Sequence, residues 1–215
     1  MIEAMLFDLD GTLVDTAPDL IGALNAMLRD RGLAEKPAAQ IRPVVSAGAN
    51  AIIAAGFGLA PDSTEVADLR EPYLAYYRDN LSACSRLFAG MGDVLNTLEQ
   101  KQISWGVVTN KPAFLTDPLM AELGLAERCC AIISADTTPF KKPHPEPLFE
   151  ACRRARLKPE NCVYVGDDRR DIIAGNAAGM TTLAAQWGYF PADDGPADWP
   201  ADGVVARPAE LLNWL

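Results

Sequence analysis

The sequence predicts an α/β protein built on a parallel β-sheet, with a block of helices inserted after the first strand. Two observations support this prediction. After about residue 81, short apolar runs typical of buried strands alternate with helical segments. Between the first apolar run, residues 5–7, and residue 82, the chain shows helical patterns and no convincing strand.

The inserted block is expected to contain three helices. Thr16-Ala-Pro18-Asp19 resembles a capped helix start, with proline in the first turn. A second helix is expected over residues 41–55, and a third continues from Pro61-Asp62-Ser63 to residue 77. Pro72 is expected to kink or split the third helix, because proline lacks the backbone N–H that a helix interior uses.

Strand and helix signals alternate through the rest of the chain. Strands are expected at residues 104–109, 131–134, 162–166, 181–185 and 204–206, and helices at 92–101, 112–123, 145–156 and up to 178. This alternation predicts a Rossmann-like, doubly wound sheet, which binds ligands beyond the carboxyl ends of its strands. The predicted division is a core of residues 1–16 and 82–215, interrupted by a small all-helical domain, residues 17–81.

Composition excludes several classes of function. The 215 residues are 49% hydrophobic and 22% charged, as in a globular protein, and the formal net charge is −10. Such a charge argues against binding nucleic acid or an anionic membrane, which need clustered lysine and arginine. No apolar run approaches the length of a membrane helix, and the N-terminus lacks the pattern of a secretion signal, so a cytoplasmic protein is expected.

The first strand runs into two aspartates, Asp8 and Asp10, separated by one leucine. If the strand continues, both carboxylates point to the same side and share one small space. Like charges so close raise one pKa unless a cation lies between them, so the pair favours Mg²⁺, a shared proton, or both. Gly11 then permits a tight turn. An ordinary Asp-Gly hairpin turn is the alternative.

Three further polar clusters follow later strands. Thr109-Asn110-Lys111 offers a hydroxyl and an amide at the start of a helix, and Lys141-Lys142-Pro143-His144 offers a cation beside a stiffened turn. Gly166-Asp167-Asp168-Arg169-Arg170-Asp171 again places carboxylates after a strand. Taken singly, these segments are also compatible with helix caps and a solvated turn. Together they predict a site with metal ligands, donors and a lysine, which is what phosphoryl transfer requires.

The four motifs resemble those of the haloacid dehalogenase superfamily. They are DLDGTLVDT at residues 8–16, TNK at 109–111, KKPHP at 141–145 and GDDRRD at 166–171, in that order along nearly the whole chain. The pattern is most similar to the phosphoglycolate phosphatase group of that superfamily. The inserted helices resemble the family's mobile helical cap, which selects the substrate.

The resemblance implies a role for each motif residue. Asp8 is implied as the nucleophile that forms an aspartyl-phosphate, and Asp10 as the general acid and then the base. The implied Mg²⁺ ligands are the Asp8 carboxylate, the Asp10 carbonyl and Asp167. Asp168 or Asp171 would lie in or near the outer coordination sphere. The phosphoryl group would be gripped by Thr109 and Asn110 near Gly11, and Lys142 would balance its charge together with that of Asp8, although Lys141 leaves a one-residue ambiguity.

The implied activity is a Mg²⁺-dependent phosphatase acting on a small phosphorylated metabolite. The substrate favoured by the group resemblance is 2-phosphoglycolate, and the alternative is N-acetylmuramic acid 6-phosphate. Both carry a carboxylate, for which Arg42 and Ser46 of the inserted helices are candidate contacts. A phosphate-binding protein without turnover and a phospho-acceptor signalling domain are the other classes considered. A monomer or a homodimer is expected.

Overall fold

The fold is described by a computed structural model that covers residues 2–215. Its eight strands are β1 Ala4–Phe7, β2 Val14–Asp15, β3 Arg86–Leu87, β4 Ser104–Val108, β5 Ile132–Ile133, β6 Cys162–Gly166, β7 Thr181–Ala185 and β8 Gly203–Val205. Six of them form one sheet in the order β5-β4-β1-β6-β7-β8, with every neighbouring pair parallel. The predicted α/β class and parallel sheet are confirmed.

Eight α-helices accompany the strands. They are α1 Ala17–Asp30, α2 Ala38–Ile41, α3 Ala49–Phe57, α4 Thr64–Arg78, α5 Met91–Gln100, α6 Ala113–Glu122, α7 Glu146–Ala155 and α8 Arg169–Ala178. Within residues 2–215, none of these helices is both long enough and apolar enough to cross a bilayer.

The central strand β1 has apolar contacts on both faces of the sheet. Met5 and Phe7 belong to one buried cluster, which includes residues of α1 and α5, while Leu6 belongs to another with residues of α7 and α8. This period-two alternation buries both faces, as in a doubly wound sheet. The strand order reverses beside β1, so the crevice for a ligand opens where β1 ends.

The inserted helical block, residues 17–81, differs in detail from its predicted form. Residues 41–55 do not form one helix: a short 3₁₀ turn, Arg42–Val44, follows α2, and α3 begins after Gly48. Gly48 has a φ of 91°, a backbone conformation that favours glycine and interrupts a helix. By contrast, α4 runs unbroken through Pro72, and its buried Tyr73 and Tyr77 pack into the apolar core.

A short antiparallel ribbon joins the block to the sheet. Strands β2 and β3 pair here, and neither was predicted, because two residues are too few to show alternation. The buried carboxylate of Asp19 accepts hydrogen bonds from the backbone N–H groups of Cys84 and Ser85, and from the Ser85 hydroxyl. The two ends of the block are therefore tied together. Its buried apolar residues are continuous with those beneath the sheet.

Candidate active site

The polar clusters that follow β1, β4, β5 and β6 meet around one cavity of about 340 Å³. Parallel strands end at the same edge of a sheet, so residues far apart in sequence lie side by side there. The sheet side of the cavity is lined by Asp8, Asp10, Thr109, Asn110, Lys142 and Asp171. The inserted block supplies the facing wall, which includes Ser46, Ala49, Asn50, Arg70, Tyr73 and Tyr77.

Lys142 is the cation at the centre of the site. Its Nζ lies 2.8 Å from Asp8 Oδ1 and 2.7 Å from Asp171 Oδ1, and its side chain is only 3% exposed. Burial alone would lower the pKa of Lys142, but the facing carboxylates outweigh it and hold this pKa above its usual value. Lys141 is exposed, so Lys142 is the lysine that contacts the predicted nucleophile.

Asp8, Asp167 and Asp171 form a candidate metal site. Each offers a carboxylate oxygen, and the three oxygens lie within 4.8 Å of one another. Burial raises the pKa of Asp167 well above its usual value, and the neighbouring carboxylates raise it further. Burial likewise raises the pKa of Asp171 to about 7, although Lys142 partly opposes this. A hard divalent cation prefers such oxygen ligands and would relieve this crowding of charge, so the donor set fits Mg²⁺.

Three hydrogen bonds hold the carboxylate of Asp167 in position. It accepts hydrogen bonds from the Thr12 hydroxyl (2.7 Å), the backbone N–H of Tyr189 (2.9 Å) and the Ser46 hydroxyl (2.7 Å). A Cβ at Gly11 would lie 2.1 Å from Asp167 Oδ2, so only glycine fits against this carboxylate. Gly11, expected near the phosphate, is therefore placed against a predicted metal ligand.

Asp10 is held through one of its two oxygens. Its Oδ1 accepts from the Thr16 hydroxyl (2.6 Å) and from Lys111 Nζ (3.0 Å). Thr16 was expected to cap α1, but it makes no side-chain cap bond and instead contacts Asp10. No role was expected for Lys111 from the sequence, yet its side chain lies in the site.

Thr109 and Asn110 both line the cavity, but they are engaged differently. The Asn110 side chain donates to the Lys142 carbonyl (2.9 Å) and accepts from the Lys142 N–H (3.0 Å). This pair of bonds fixes the loop that carries the buried lysine. The Thr109 hydroxyl oxygen accepts from the Lys111 N–H (3.2 Å), which leaves its own hydrogen available to a ligand.

The acidic residues after β6 have separate surroundings. Asp168 caps α8 and pairs with Arg170, whose guanidinium also donates to the Ser46 carbonyl (2.7 Å). Burial would raise the pKa of Asp168, but the bond to Arg170 outweighs it and the pKa is lowered. Asp171, expected with Asp168 as a residue in or near the outer coordination sphere, is one of the three carboxylates of the candidate metal site.

The two candidate contacts in the inserted block lie in different places. Ser46 reaches the cavity, whereas Arg42 is absent from its lining. The Arg42 guanidinium makes two 3.1 Å hydrogen bonds to the Asp15 carboxylate and lies 4.6 Å from the Tyr189 ring centroid. Arg70 of α4 lines the cavity, and its side chain is 43% exposed. Nothing in the sequence distinguishes Arg70 from an ordinary surface residue of a helix.

Comparisons with known proteins agree with this site. A family model described as haloacid dehalogenase-like hydrolase matches residues 5–185. The chain is 43% identical over 214 residues to an N-acetylmuramic acid 6-phosphate phosphatase of Pseudomonas aeruginosa, covering 100% of this chain and 95% of that protein. It is 46% identical over 208 residues to a phosphoglycolate phosphatase of Xanthomonas campestris, covering 97% and 94%.

The fold is also similar to that of a solved structure. The crystal structure of a predicted phosphoglycolate phosphatase from Haemophilus somnus superposes with a TM-score of 0.85 at 26% identity, covering 99% of this chain and 97% of that one. The chain therefore belongs to the haloacid dehalogenase-like hydrolases. The predicted family resemblance and the prediction of a hydrolase acting on phosphoric monoesters are confirmed.

Proposed function

We propose that this protein is a Mg²⁺-dependent phosphatase that hydrolyses a small, carboxylate-bearing phosphomonoester through an aspartyl-phosphate on Asp8. The observation that carries the proposal is the position of Asp8 at the cavity wall, beside the buried cation of Lys142 and the carboxylates of Asp167 and Asp171. A carboxylate held next to a cation and a metal site is suited to attack a phosphoryl group, whose negative charge would otherwise repel it.

Each residue then has a defined part in the reaction. An Asp8 oxygen attacks phosphorus as the ester P–O bond breaks, and Asp10 donates its proton to the leaving alcohol. Asp10 next takes a proton from water, whose oxygen attacks phosphorus and releases Asp8. Asp8, Asp167, Asp171 and the Asp10 carbonyl would hold Mg²⁺, which when bound would supply positive charge for the phosphoryl oxygens. Lys142 balances the negative charge of Asp8 and of the phosphoryl group, and Thr109 positions the phosphoryl group.

The helical block, residues 17–81, serves in this proposal as a cap over the core formed by residues 1–16 and 82–215. Two contacts support that role: the Ser46 hydroxyl bonds Asp167, and Arg170 bonds the Ser46 carbonyl. A cap seated in this way excludes bulk water from the reacting groups. We infer a cytoplasmic enzyme that is a monomer or a homodimer.

The metal assignment is tested by thermal unfolding. Saturating Mg²⁺ is expected to raise the Tm of the wild type, because a ligand at 100 times its Kd stabilises the folded state by about 2.7 kcal/mol. Asp167→Ala removes one ligand and is expected to lose most of this shift, whereas Asp168→Asn, outside the donor set, should keep it. The absence of any Mg²⁺ shift in the wild type would contradict the assignment.

A phosphate-release assay on the same samples distinguishes an enzyme from a protein that only binds phosphate. The enzyme is expected to release phosphate from p-nitrophenyl phosphate with Mg²⁺ and to stop when EDTA is added. A protein that binds Mg²⁺ but releases no phosphate would be a phosphate-binding module. A phospho-Asp8 that persists for minutes would instead indicate a signalling domain.

For the substrate, 2-phosphoglycolate is our first candidate, and Arg70 is the residue we propose for its carboxylate. Arg70 faces the cavity, and its one ion pair with another of residues 2–215 is a 3.3 Å contact with Glu71, whose side chain is 83% exposed. Such a pair is weak and readily exchanged for a ligand carboxylate. Arg42 is already bound to Asp15 and is therefore the weaker candidate.

N-acetylmuramic acid 6-phosphate is the second candidate, and the size of the cavity is compatible with it. At about 340 Å³ the cavity falls within the range of roughly 300–1,000 Å³ that holds ligands much larger than a two-carbon acid. The ratio of kcat/KM for the two compounds distinguishes the candidates directly.

Arg70→Ala is expected to lower kcat/KM for the true substrate by about 10- to 100-fold, the worth of a hydrogen bond to a charged group. The effect should be much smaller on the matched ester without a carboxylate, which is 2-hydroxyethyl phosphate or N-acetylglucosamine 6-phosphate. Arg42→Ala serves as the paired variant and should leave this discrimination intact. If Arg42→Ala abolishes the discrimination and Arg70→Ala does not, our assignment of the carboxylate contact is wrong.

A further inference from the structure

Lys111 is a buried cation to which neither the motif resemblance nor the proposed function gives a role. Its side chain is 5% exposed, and its Nζ lies 3.0 Å from Asp10 Oδ1 and 2.8 Å from the hydroxyl of Tyr77. The same Nζ is 4.5 Å from the centroid of the Tyr77 ring. Burying an ammonium group is costly unless it is paired, so this arrangement needs both of its partners.

The contact with Asp10 is made to one oxygen only. Thr16 and Lys111 both donate to Oδ1, and no group within residues 2–215 donates to Oδ2. Two donors on one oxygen fix the rotation of the carboxyl group and leave the other oxygen for proton transfer. A general acid must hold its proton within hydrogen-bond reach of the leaving oxygen, so this rotation matters for the reaction.

The contact with Tyr77 comes from the inserted helical block. Tyr77 lies on α4 and is fully buried, and its hydroxyl receives the second hydrogen bond of Lys111. The ammonium of Lys111 thus connects a residue of the block to the side chain of Asp10. Tyr73, one turn earlier on the same helix, is buried equally well but donates to the carbonyl of Leu20 within the block.

We propose that Lys111 is a positioning residue that orients Asp10 for proton donation to the leaving alcohol, and that Tyr77 holds Lys111 in place from the helical block. This inference rests on the proposed role of Asp10. The proton leaves Asp10 Oδ2 for the alcohol oxygen while the P–O bond to that oxygen breaks and the bond from Asp8 to phosphorus forms. Lys111 and Tyr77 themselves exchange no proton with the substrate.

The leaving group provides a readout for this role. An alkoxide needs a proton as it departs, whereas p-nitrophenolate departs without one. The value of kcat/KM reports events up to the first irreversible step, which is formation of the aspartyl-phosphate, so the later use of Asp10 as a base does not enter. If Lys111 positions Asp10, its replacement is therefore expected to lower kcat/KM for alkyl phosphates and to change kcat/KM for p-nitrophenyl phosphate little.

The experiment compares Lys111→Met and Tyr77→Phe with the wild type on 2-phosphoglycolate, N-acetylmuramic acid 6-phosphate and p-nitrophenyl phosphate. Lys111→Met is expected to lower kcat/KM for the better alkyl substrate about 100-fold, the lower end of what a general acid contributes. Tyr77→Phe keeps the ring and is expected to cost about 3- to 10-fold, the worth of one hydrogen bond. Tyr73→Phe is the matched control and should not change the ratio of alkyl to aryl rates.

A double-mutant cycle with Asp10→Asn completes the test. Once Asp10 no longer donates a proton, Lys111→Met should add no further loss on the alkyl substrate, because both changes remove the same step. Equal losses on alkyl and aryl esters, or additive losses in the cycle, would mean that Lys111 is structural or binds the substrate, and would overturn the proposal. An inactive wild type would instead reject the proposed function itself.

Discussion

Replacing Asp8 by asparagine is expected to abolish turnover while the protein stays folded. The amide has nearly the same size as the carboxylate, but it is not a nucleophile and forms no acyl-phosphate. Loss of a catalytic nucleophile lowers the rate by about 10⁴-fold or more. The measurement is phosphate release from p-nitrophenyl phosphate at saturating Mg²⁺, together with covalent labelling of the protein by the substrate.

The matched control is Asp117→Asn, the same substitution at an exposed position of α6, which should keep wild-type activity. Circular dichroism should show both variants folded. Wild-type turnover in Asp8→Asn, or a covalent phosphate that survives the substitution, would show that another residue is the nucleophile.

Lys142→Ala is expected to have the next largest effect, on both activity and stability. The ammonium contacts Asp8 and Asp171 and also donates to the carbonyl of Val108 (2.9 Å), all in buried surroundings. Removing one partner from such a network leaves buried carboxylates uncompensated, so we expect the free energy of unfolding to fall by about 3–5 kcal/mol in the absence of Mg²⁺. Turnover should fall by at least about 100-fold, since the reaction loses the positive charge that Lys142 places beside Asp8 and the phosphoryl group.

Lys141→Ala separates the two adjacent lysines. Lys141 is exposed, so its removal is expected to change the unfolding free energy by less than about 0.5 kcal/mol and to reduce activity far less. Denaturant unfolding and steady-state kinetics measure both effects. Similar losses in the two variants would mean that the choice of Lys142 over Lys141 is mistaken.

The residues on the sheet side of the site could be predicted from the sequence, because the order of strands and helices indicates a parallel sheet. Asp8, Thr109 and Asp167 each follow a buried strand, and parallel strands end at the same edge, so these residues had to lie near one another. Their chemical roles stay proposals. The hydrogen-bond partners of the individual side chains could not be predicted from the sequence, because side-chain rotamers decide such contacts. Asn110 bonds the Lys142 backbone, and Thr16 bonds Asp10.

The helical block was harder to predict. Tyr77 and Arg70 follow the ordinary spacing of an amphipathic helix, and only the three-dimensional position of α4 shows that both reach the cavity. The pairing of Arg42 with Asp15 spans 27 residues and has no local signal. Pro72 was expected to kink or split α4, yet the helix continues through it. Buried Val66 before the proline, and buried Tyr73 and Tyr77 after it, pack into the apolar core.

The central position of β1 has a consequence for synthesis of the chain. β1 pairs with β4 and β6, with Ala4 opposite Ser104 on one side and Cys162 on the other. On the ribosome, β1, which leads directly to the proposed nucleophile Asp8, is made before its neighbours, and β6 is made only after about three quarters of the 215 residues. The helices of residues 17–81 have local contacts and are complete long before. The candidate site therefore cannot assemble before β6 has been made. A truncated product lacking β6 and the residues after it retains Asp8 without Asp167 and Asp171, the other two carboxylates of the candidate metal site.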